Sequence, residues 1–381
     1  MAEFEYENFT LKIDHDANGY VANVLASPVG QASERFNMPK LDDDLSAVFQ
    51  ELETTRNTSN LTRDASGQLD SQFQQGAIKA LGEKLFSVVF GGEIGTAYQR
   101  SLDSVKTKGK GLRIQLRTSH SLSEIPWEYL RDPQGPGRFL FHSEQQSLSR
   151  YLELPVGIQA FSLKPPLRIL VMISNPSNAR SLNVELEWEK LNSAFKNLKE
   201  ENLVDIKRIP ATLEDLQAVL KQQGCHIFHF IGHGGFDAQH GGVLLMEDDQ
   251  RKARKVDAET IASQLQDIPT LQLVVLNACK GARATLSNPF AGIAQTLVAG
   301  SVPAVVAMQY PISDEVAITF AKRFYGSLAR AAPVDTAIAQ ARKAIFALEF
   351  GKFEFGIPVL YTRSPDGHIF DVQGGDQAID P

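Results

Sequence analysis

Leu271-Gln-Leu-Val-Val-Leu-Asn-Ala-Cys279-Lys-Gly281 decides the fold of this chain. Five of its first six residues are apolar and two are β-branched. That is the pattern of a strand buried on both faces of a parallel sheet. The run breaks at Asn-Ala-Cys-Lys-Gly, so a cysteine stands where the chain leaves the carboxyl edge of the sheet. Open α/β sheets collect ligands and chemistry at that edge. A second stretch answers it upstream, His226-Ile-Phe-His-Phe-Ile-Gly-His233-Gly-Gly-Phe-Asp237. It reads as an apolar strand breaking into a Gly-rich loop with His233 inside. Cys279 follows His233 by 46 residues. A cysteine and a histidine at the ends of two buried strands are the parts of a thiolate nucleophile and its base.

Outward from these strands the pattern is βαβα. Strands are expected at 167–173, 203–208, 302–308 and 356–362, those at 167–173 and 302–308 apolar, with helices at 183–199, 212–222, 257–266, 289–299, 313–329 and 334–349. A β-ribbon is expected at 241–247. Thr212-Leu-Glu-Asp215 is a capping-box-like start, and Asn288, Pro289 and Gly300 are helix-boundary choices. Six main strands with helices between most of them predict a three-layer α/β/α domain with a mostly parallel six-stranded sheet. Leu163-Lys-Pro-Pro-Leu167 looks like a linker, because paired prolines stop both helix and ladder. Before it lies an α+β region. Strands at 3–13 and 19–26 meet at Asp16-Ala-Asn-Gly19, and helices are expected at 43–54, 70–89 and 94–106. An exposed polar loop is expected at 54–70. Leu112–Thr118 alternates strictly and reads as a half-buried strand. Residues 125–132 read as a short helix, and 139–142 and 147–153 as further strands. The domains are therefore 1–162, 163–373 and a loose tail at 374–381.

Composition narrows the function. The chain has 381 residues, 43% hydrophobic and 22% charged, with a net charge of −7. That balance gives no basic footprint for nucleic acid. No apolar run approaches the roughly 18 residues that span a bilayer, and the acidic N-terminus lacks the features of a signal peptide. Two cysteines cannot form a disulfide framework, so a reduced, cytoplasmic protein is expected. Cys225 begins a strand with no partner motif and reads as structural. His226, His229, His233 and His240 do not read as a metal site, because strand positions 226 and 229 point to opposite faces. The Gly-rich loop lacks a phosphate-binding signature. No metal and no cofactor is expected.

In a Cys–His hydrolase the histidine favours the thiolate of Cys279 and later protonates the leaving amine. The backbone N–H groups of Gly234 and Cys279 lie on the two candidate loops and could both face the developing oxyanion. Glycine at 232, 234, 235 and 281 permits close approach and positive φ. Glu247-Asp248-Asp249 reads as a solvated turn.

These residues carry a resemblance. His233-Gly234, followed by a strand ending Asn277-Ala278-Cys279-Lys280-Gly281, resembles the His and Gln-Ala-Cys-type motifs of the caspase-type cysteine peptidases. The fuller resemblance is to the CHAT family, the bacterial caspase-like branch related to separase. Phe228–Asp237 resembles its His motif, Leu276–Cys279 its Cys motif, and Phe290–Gln309 the helix and strand that follow. Ile125-Pro-Trp-Glu-Tyr-Leu and Arg150-Tyr-Leu-Glu-Leu-Pro155 resemble the segment that often precedes the domain. The resemblance implies a caspase-like fold, His233 as base, Cys279 as nucleophile, and Gly234 with Cys279 as oxyanion donors. It implies a cysteine endopeptidase acting on a protein substrate, such as a gasdermin-like or other latent effector in bacterial antiviral defence. The N-terminal domain then regulates or positions substrate. Asn277 stands where caspases carry Gln and metacaspases Asp, a position that in those relatives lines the pocket for the residue before the cut (P1). Lys280 and Arg283 follow the nucleophile on an expected solvated loop, while Asp237 and the 247–249 turn lean acidic. A basic or neutral P1 residue is therefore expected, not Asp, with Asp237 as the acidic wall. Two other readings remain open: a pseudo-protease that binds a partner without cutting, and a thiol amidase acting on a small molecule.

Overall fold

The structure, a computed structural model, describes residues 5–61, 76–134, 138–155, 157–237, 239–278, 289–348 and 352–373. It forms two compact units. One is Tyr151–Ile338 with the chain from Ile357 onward; the other is Ala2–Arg150 with Ala339–Gly356. The expected loose tail at 374–381 lies outside the described residues.

The α+β unit contains β1 (Tyr6–Asp16), β2 (Gly19–Ala26), β3 (Ala32–Phe36), α1 (Asp42–Leu61), α2 (Gly76–Val89), α3 (Gly92–Thr107), β4 (Gly111–Thr118) and β5 (Gln146–Tyr151). Strands run in the order β5-β4-β1-β2-β3. β1 is antiparallel to β2 and parallel to β4. Here four expectations need correction, the first being the strand at 139–142, of which only an isolated bridge between Phe139 and Arg131 forms. The stretch 54–61 is not loop but the end of α1; the rest of the expected loop lies outside the described residues. β4 is buried on both faces through Leu116. Its polar positions are absorbed by partners: Arg113 Nη1 donates to Asn8 Oδ1 at 3.1 Å, and Gln115 Oε1 accepts from Thr10 Oγ1 at 2.7 Å. A buried polar side chain is tolerated when it is hydrogen-bonded, so strict alternation here does not mean a wet face. The expected helix at 125–132 is only a 3₁₀ turn, Trp127–Tyr129.

The α/β unit contains β6 (Phe161–Leu163), β7 (Leu167–Ile173), α4 (Val184–Ala194), α5 (Lys196–Glu200), β8 (Val204–Ile209), α6 (Leu213–Gln223), β9 (Ile227–Asp237), β10 (Gly241–Glu247), β11 (Ala253–Asp257), α7 (Ala258–Leu265), β12 (Leu273–Ala278), α8 (Pro289–Gly300), β13 (Ala304–Met308) and α9 (Asp314–Leu328). α10 (Val334–Phe346), β14 (Pro358–Thr362) and β15 (Phe370–Val372) complete the list. The main strands lie in the order β8-β7-β9-β12-β13-β14. Every pairing is parallel except β13 with β14, which is the mostly parallel sheet expected. Helix starts follow their caps: the side chains of Asn183, Thr212 and Asp257 accept from the N–H groups of Leu186, Asp215 and Thr260. Pro289 takes the first position of α8, where its missing N–H costs nothing.

The sheet separates two packed layers. Phe228, Phe230, Val274, Leu276, Val305 and Ala307 pack on one face with Leu216, Ile261, Ile293 and Leu297 of α6, α7 and α8. His229, Ile231, Asn277 and Met308 meet Leu191 of α4 and Phe320 of α9 on the other. Side chains alternate along each strand, so His233 shares the second face with His229, Ile231 and Asn277.

Candidate active site

His233 is in a strand and not in a loop. β9 runs on through the glycines to Asp237 because β10 offers a ladder partner: His233 pairs with Leu245, Gly234 with Leu244, and Gly235 with Val243. None of Gly232, Gly234 and Gly235 has a positive φ. What Gly234 supplies is space. A Cβ there would lie 2.7 Å from Pro289 Cγ and 2.9 Å from Phe290 Cε1, so α8 packs against bare backbone.

The imidazole of His233 is 4% exposed. Its Nε2 is 2.8 Å from the carbonyl oxygen of Arg180. A carbonyl only accepts, so Nε2 carries the hydrogen. In the neutral ring Nδ1 is then the lone pair, the atom that can take a proton. Arg180 lies in the loop between β7 and α4, and that loop is tied to the β10–β11 hairpin. Ser174 Oγ donates to Leu245 O at 2.7 Å, and Asn175 N to Glu247 Oε1 at 2.9 Å. Ser177 N donates to Arg251 O at 2.7 Å, and Ala253 N to Asn178 Oδ1 at 2.7 Å. Asn175 Oδ1 closes the loop by accepting from Leu182 N. Glu247 is thus buried, not part of a solvated turn. Asp248 does shape the turn, accepting from the N–H groups of Gln250 and Lys252.

The register of β9 with β12 sets the other half of the site. Asn277 pairs with Ile231 and Ala278 with Gly232, a constant offset of 46 residues. The same offset separates Cys279 from His233. β12 therefore ends one residue before position 279, level with the residue before His233. Cys279 itself, with Lys280, Gly281, Arg283 and Asn288, lies outside the described residues.

The direction of the Gly234 N–H follows from the ladder. Ile231 O accepts from Ser174 N, on the β7 side. In an extended strand the N–H and C=O of one residue point the same way, and the direction alternates with each residue. Gly234 therefore aims its N–H toward the β12 side, beyond Gly232, which faces the last residue of β12.

Asn277 is 9% exposed, and its Oδ1 has no hydrogen-bond partner among the described residues. Asp237 sits at the far end of β9, four residues past His233, about 13 Å along an extended strand. Its carboxylate accepts from Gln239 N at 3.0 Å, His240 Nδ1 at 3.1 Å and Lys255 Nζ at 3.4 Å. The Gln239 N–H, then His240 and Lys255, hold its pKa down to about 2. The structure thus sets Asp237 in the β9–β10 corner, out of reach of the His233 ring. Cys225 is buried, and burial pushes its thiol up to about 12. Two features have no trace in the sequence: the Arg180 carbonyl, because any residue offers one, and the tie through Glu247, whose acidic neighbours suggest a wet turn.

A mostly parallel α/β sheet brings His233 and the end of β12, which is Ala278, to its carboxyl edge. The family model for the CHAT domain matches residues 79–350. The chain belongs to the CHAT-domain family. No curated protein matches it. Solved structures similar to it include a chain of the Saccharomyces cerevisiae separase–securin complex, at 12% identity and TM-score 0.48, over 94% of this chain and 30% of that one. The Arg-specific cysteine proteinase gingipain R is 9% identical, TM-score 0.42, over 87% and 75%. The Drosophila initiator caspase Dronc is 11% identical, TM-score 0.34, over 57% and 96%. This chain therefore spans 30% of the length of the separase-complex chain it matches. Among the described residues no helix is long and apolar enough to cross a membrane.

Proposed function

We propose that the chain is a cysteine endopeptidase that cuts a protein substrate through His233 and Cys279. The observation that carries this reading is the β9–β12 register, whose 46-residue offset matches the spacing of the two residues. In the proposed reaction the Cys279 thiolate attacks the scissile carbonyl carbon. The oxyanion takes hydrogen bonds from the N–H groups of Gly234 and Cys279. The C–N bond breaks as His233 gives its proton to the leaving amine, which leaves an acyl-enzyme. His233 then takes a proton from water, and the hydroxide frees the acid and the thiol. The Arg180 carbonyl takes the Nε2 hydrogen, which leaves the Nδ1 lone pair for the reaction. Asn277 contacts substrate, and Asp237 does so only if substrate reaches the β9–β10 corner. The unit built on residues 2–150 holds neither cysteine, and its role is to regulate or to position substrate. The substrate is a latent effector, gasdermin-like or other, in a cytoplasmic defence response. Peptidyl acyloxymethyl ketones test the reading: mass spectrometry is expected to find the adduct on Cys279 in wild-type protein and none in Cys279→Ala. Adducts on Cys225 instead, or on neither cysteine, contradict it.

A further inference from the structure

The main sheet of the α/β unit ends on β8, which among the described residues pairs only with β7. Which backbone groups β8 turns outward follows from the ladder. Leu167 N donates to Leu203 O, and Leu167 lies level with Val204. In a parallel pair every second residue of a strand turns both its backbone groups to the neighbour. Leu167, Ile169 and Val171 therefore face β8, and Asp205, Lys207 and Ile209 answer them. Val204, Ile206 and Arg208 turn N–H and C=O away from the sheet. Among the described residues these three donors and three acceptors make no hydrogen bond.

The edge strand β11 is treated differently. There Asn178 Oδ1 accepts from Ala253 N, and Ser177 N donates to the Arg251 carbonyl just before the strand. Nothing of the kind meets β8. Its longest outward residue, Arg208, is held against α4: Nη1 and Nη2 donate to Glu185 at 3.0 and 2.9 Å, and the guanidinium lies 5.9 Å from the centre of the Trp188 ring. Asp205 and Lys207 are both exposed, carry opposite charges and share the other face of the strand.

An unpaired strand edge is a template for another strand, and an edge lysine ordinarily keeps strands away. Antiparallel pairing sets outward residues opposite outward residues, which leaves few registers for two copies of β8. Centred on Asp205 or on Lys207, the pair places like charges opposite each other and leaves one outward residue of each strand without a partner. Centres nearer the strand ends leave two. Centred on Ile206, it exchanges both bonds at Ile206–Ile206 and at each Val204–Arg208 pair, so every outward group is used. Asp205 of each copy then faces Lys207 of the other, at the closely spaced positions between those pairs, where opposite charges attract and like charges repel. The order of charges along the strand thus complements itself in the one register that satisfies the whole edge.

We propose that β8 joins two copies of this chain, in an antiparallel pair centred on Ile206 that runs their two sheets into one about a two-fold axis. The proposal does not depend on the peptidase reading.

Sedimentation velocity of the full-length protein over a range of concentrations tests it. Wild type is expected to pass from monomer to dimer as concentration rises. Asp205→Lys and Lys207→Asp each set like charges opposite at both positions, and each is expected to weaken the dimer about tenfold or more. An equal mixture of these two variants restores opposite charges at both positions and is expected to form a heterodimer as tight as the wild-type dimer. Ile206→Pro removes the central outward N–H, leaves the ladder to β7 intact, and is expected to be monomeric. Melting curves check that each variant folds. A wild-type chain that stays monomeric throughout, a dimer that both charge variants keep, or a mixture that associates no better than its components overturns the proposal.

Discussion

The two cysteines share a chain but not an environment. Cys225 is 2% exposed among apolar neighbours, and its thiol is pushed up to about 12. At neutral pH it is a small apolar side chain and not a nucleophile. Cys225→Ala is expected to leave peptide cleavage unchanged and to cost roughly 1 kcal/mol of stability; a urea titration beside the peptide assay measures both. His229 gives a second test. Burial pushes it down to about 3 against an ordinary 6.5. Between those values the unfolded chain binds a proton that the folded chain refuses. Stability is therefore complete above about pH 6.5 and falls as the pH drops through that window. The loss approaches 1.4 kcal/mol per pH unit, to order of magnitude. Denaturant unfolding at pH 7.5 and 5.0 should show it, and His229→Gln should lessen it. An unchanged pH slope in that variant would place the titration elsewhere.

β12 and β13 are legible as apolar runs, and the first half of β9 as an apolar run interrupted only by His229. The reach of β9 is not. Glycines punctuate the sequence at 232, 234 and 235, yet the ladder with β10 keeps the chain extended there. Short strands such as β3 and β11 are polar and sit at sheet edges, so they carry no buried run. The candidate pair His233 and Cys279 was visible as two residues at strand ends. The loop that aims His233 was not, since its contacts are to backbone. That loop hangs on Glu247 through Asn175 N. Glu247→Ala is expected to reduce kcat roughly 10- to 100-fold, the effect of misplacing a catalytic group by about an ångström, with KM little changed. Glu247→Gln keeps an acceptor oxygen and should restore most of the rate. If both variants match wild type, the hairpin does not set the histidine.

At the scale of the whole molecule, the α+β unit is closed by residues from far along the chain. Glu128 binds Arg150 through two hydrogen bonds, at 3.1 and 2.7 Å, and Arg342 Nη2 stands 3.9 Å from the same carboxylate. All three side chains are at most 4% exposed. Tyr129 donates to Phe353 O at 2.8 Å. The segments around Glu128 and Arg150 stood out in the sequence by family resemblance, but Arg342 did not, because nothing local marks a residue nearly 200 positions away. Removing one partner of a buried pair strands the other charge, at about 3–5 kcal/mol. Glu128→Gln is expected to lose that much in urea unfolding, and a 161–381 fragment, which strands Arg342, Phe353 and Phe355, is expected to melt well below the full chain. A peptidase built on His233 and Cys279 is tested most directly by mapping new protein N-termini in a cell lysate. Wild-type protein should generate a discrete set, and His233→Ala, Cys279→Ala and the double variant should each generate none, since residues of one catalytic unit fail together. The same set of new N-termini from Cys279→Ala would contradict it.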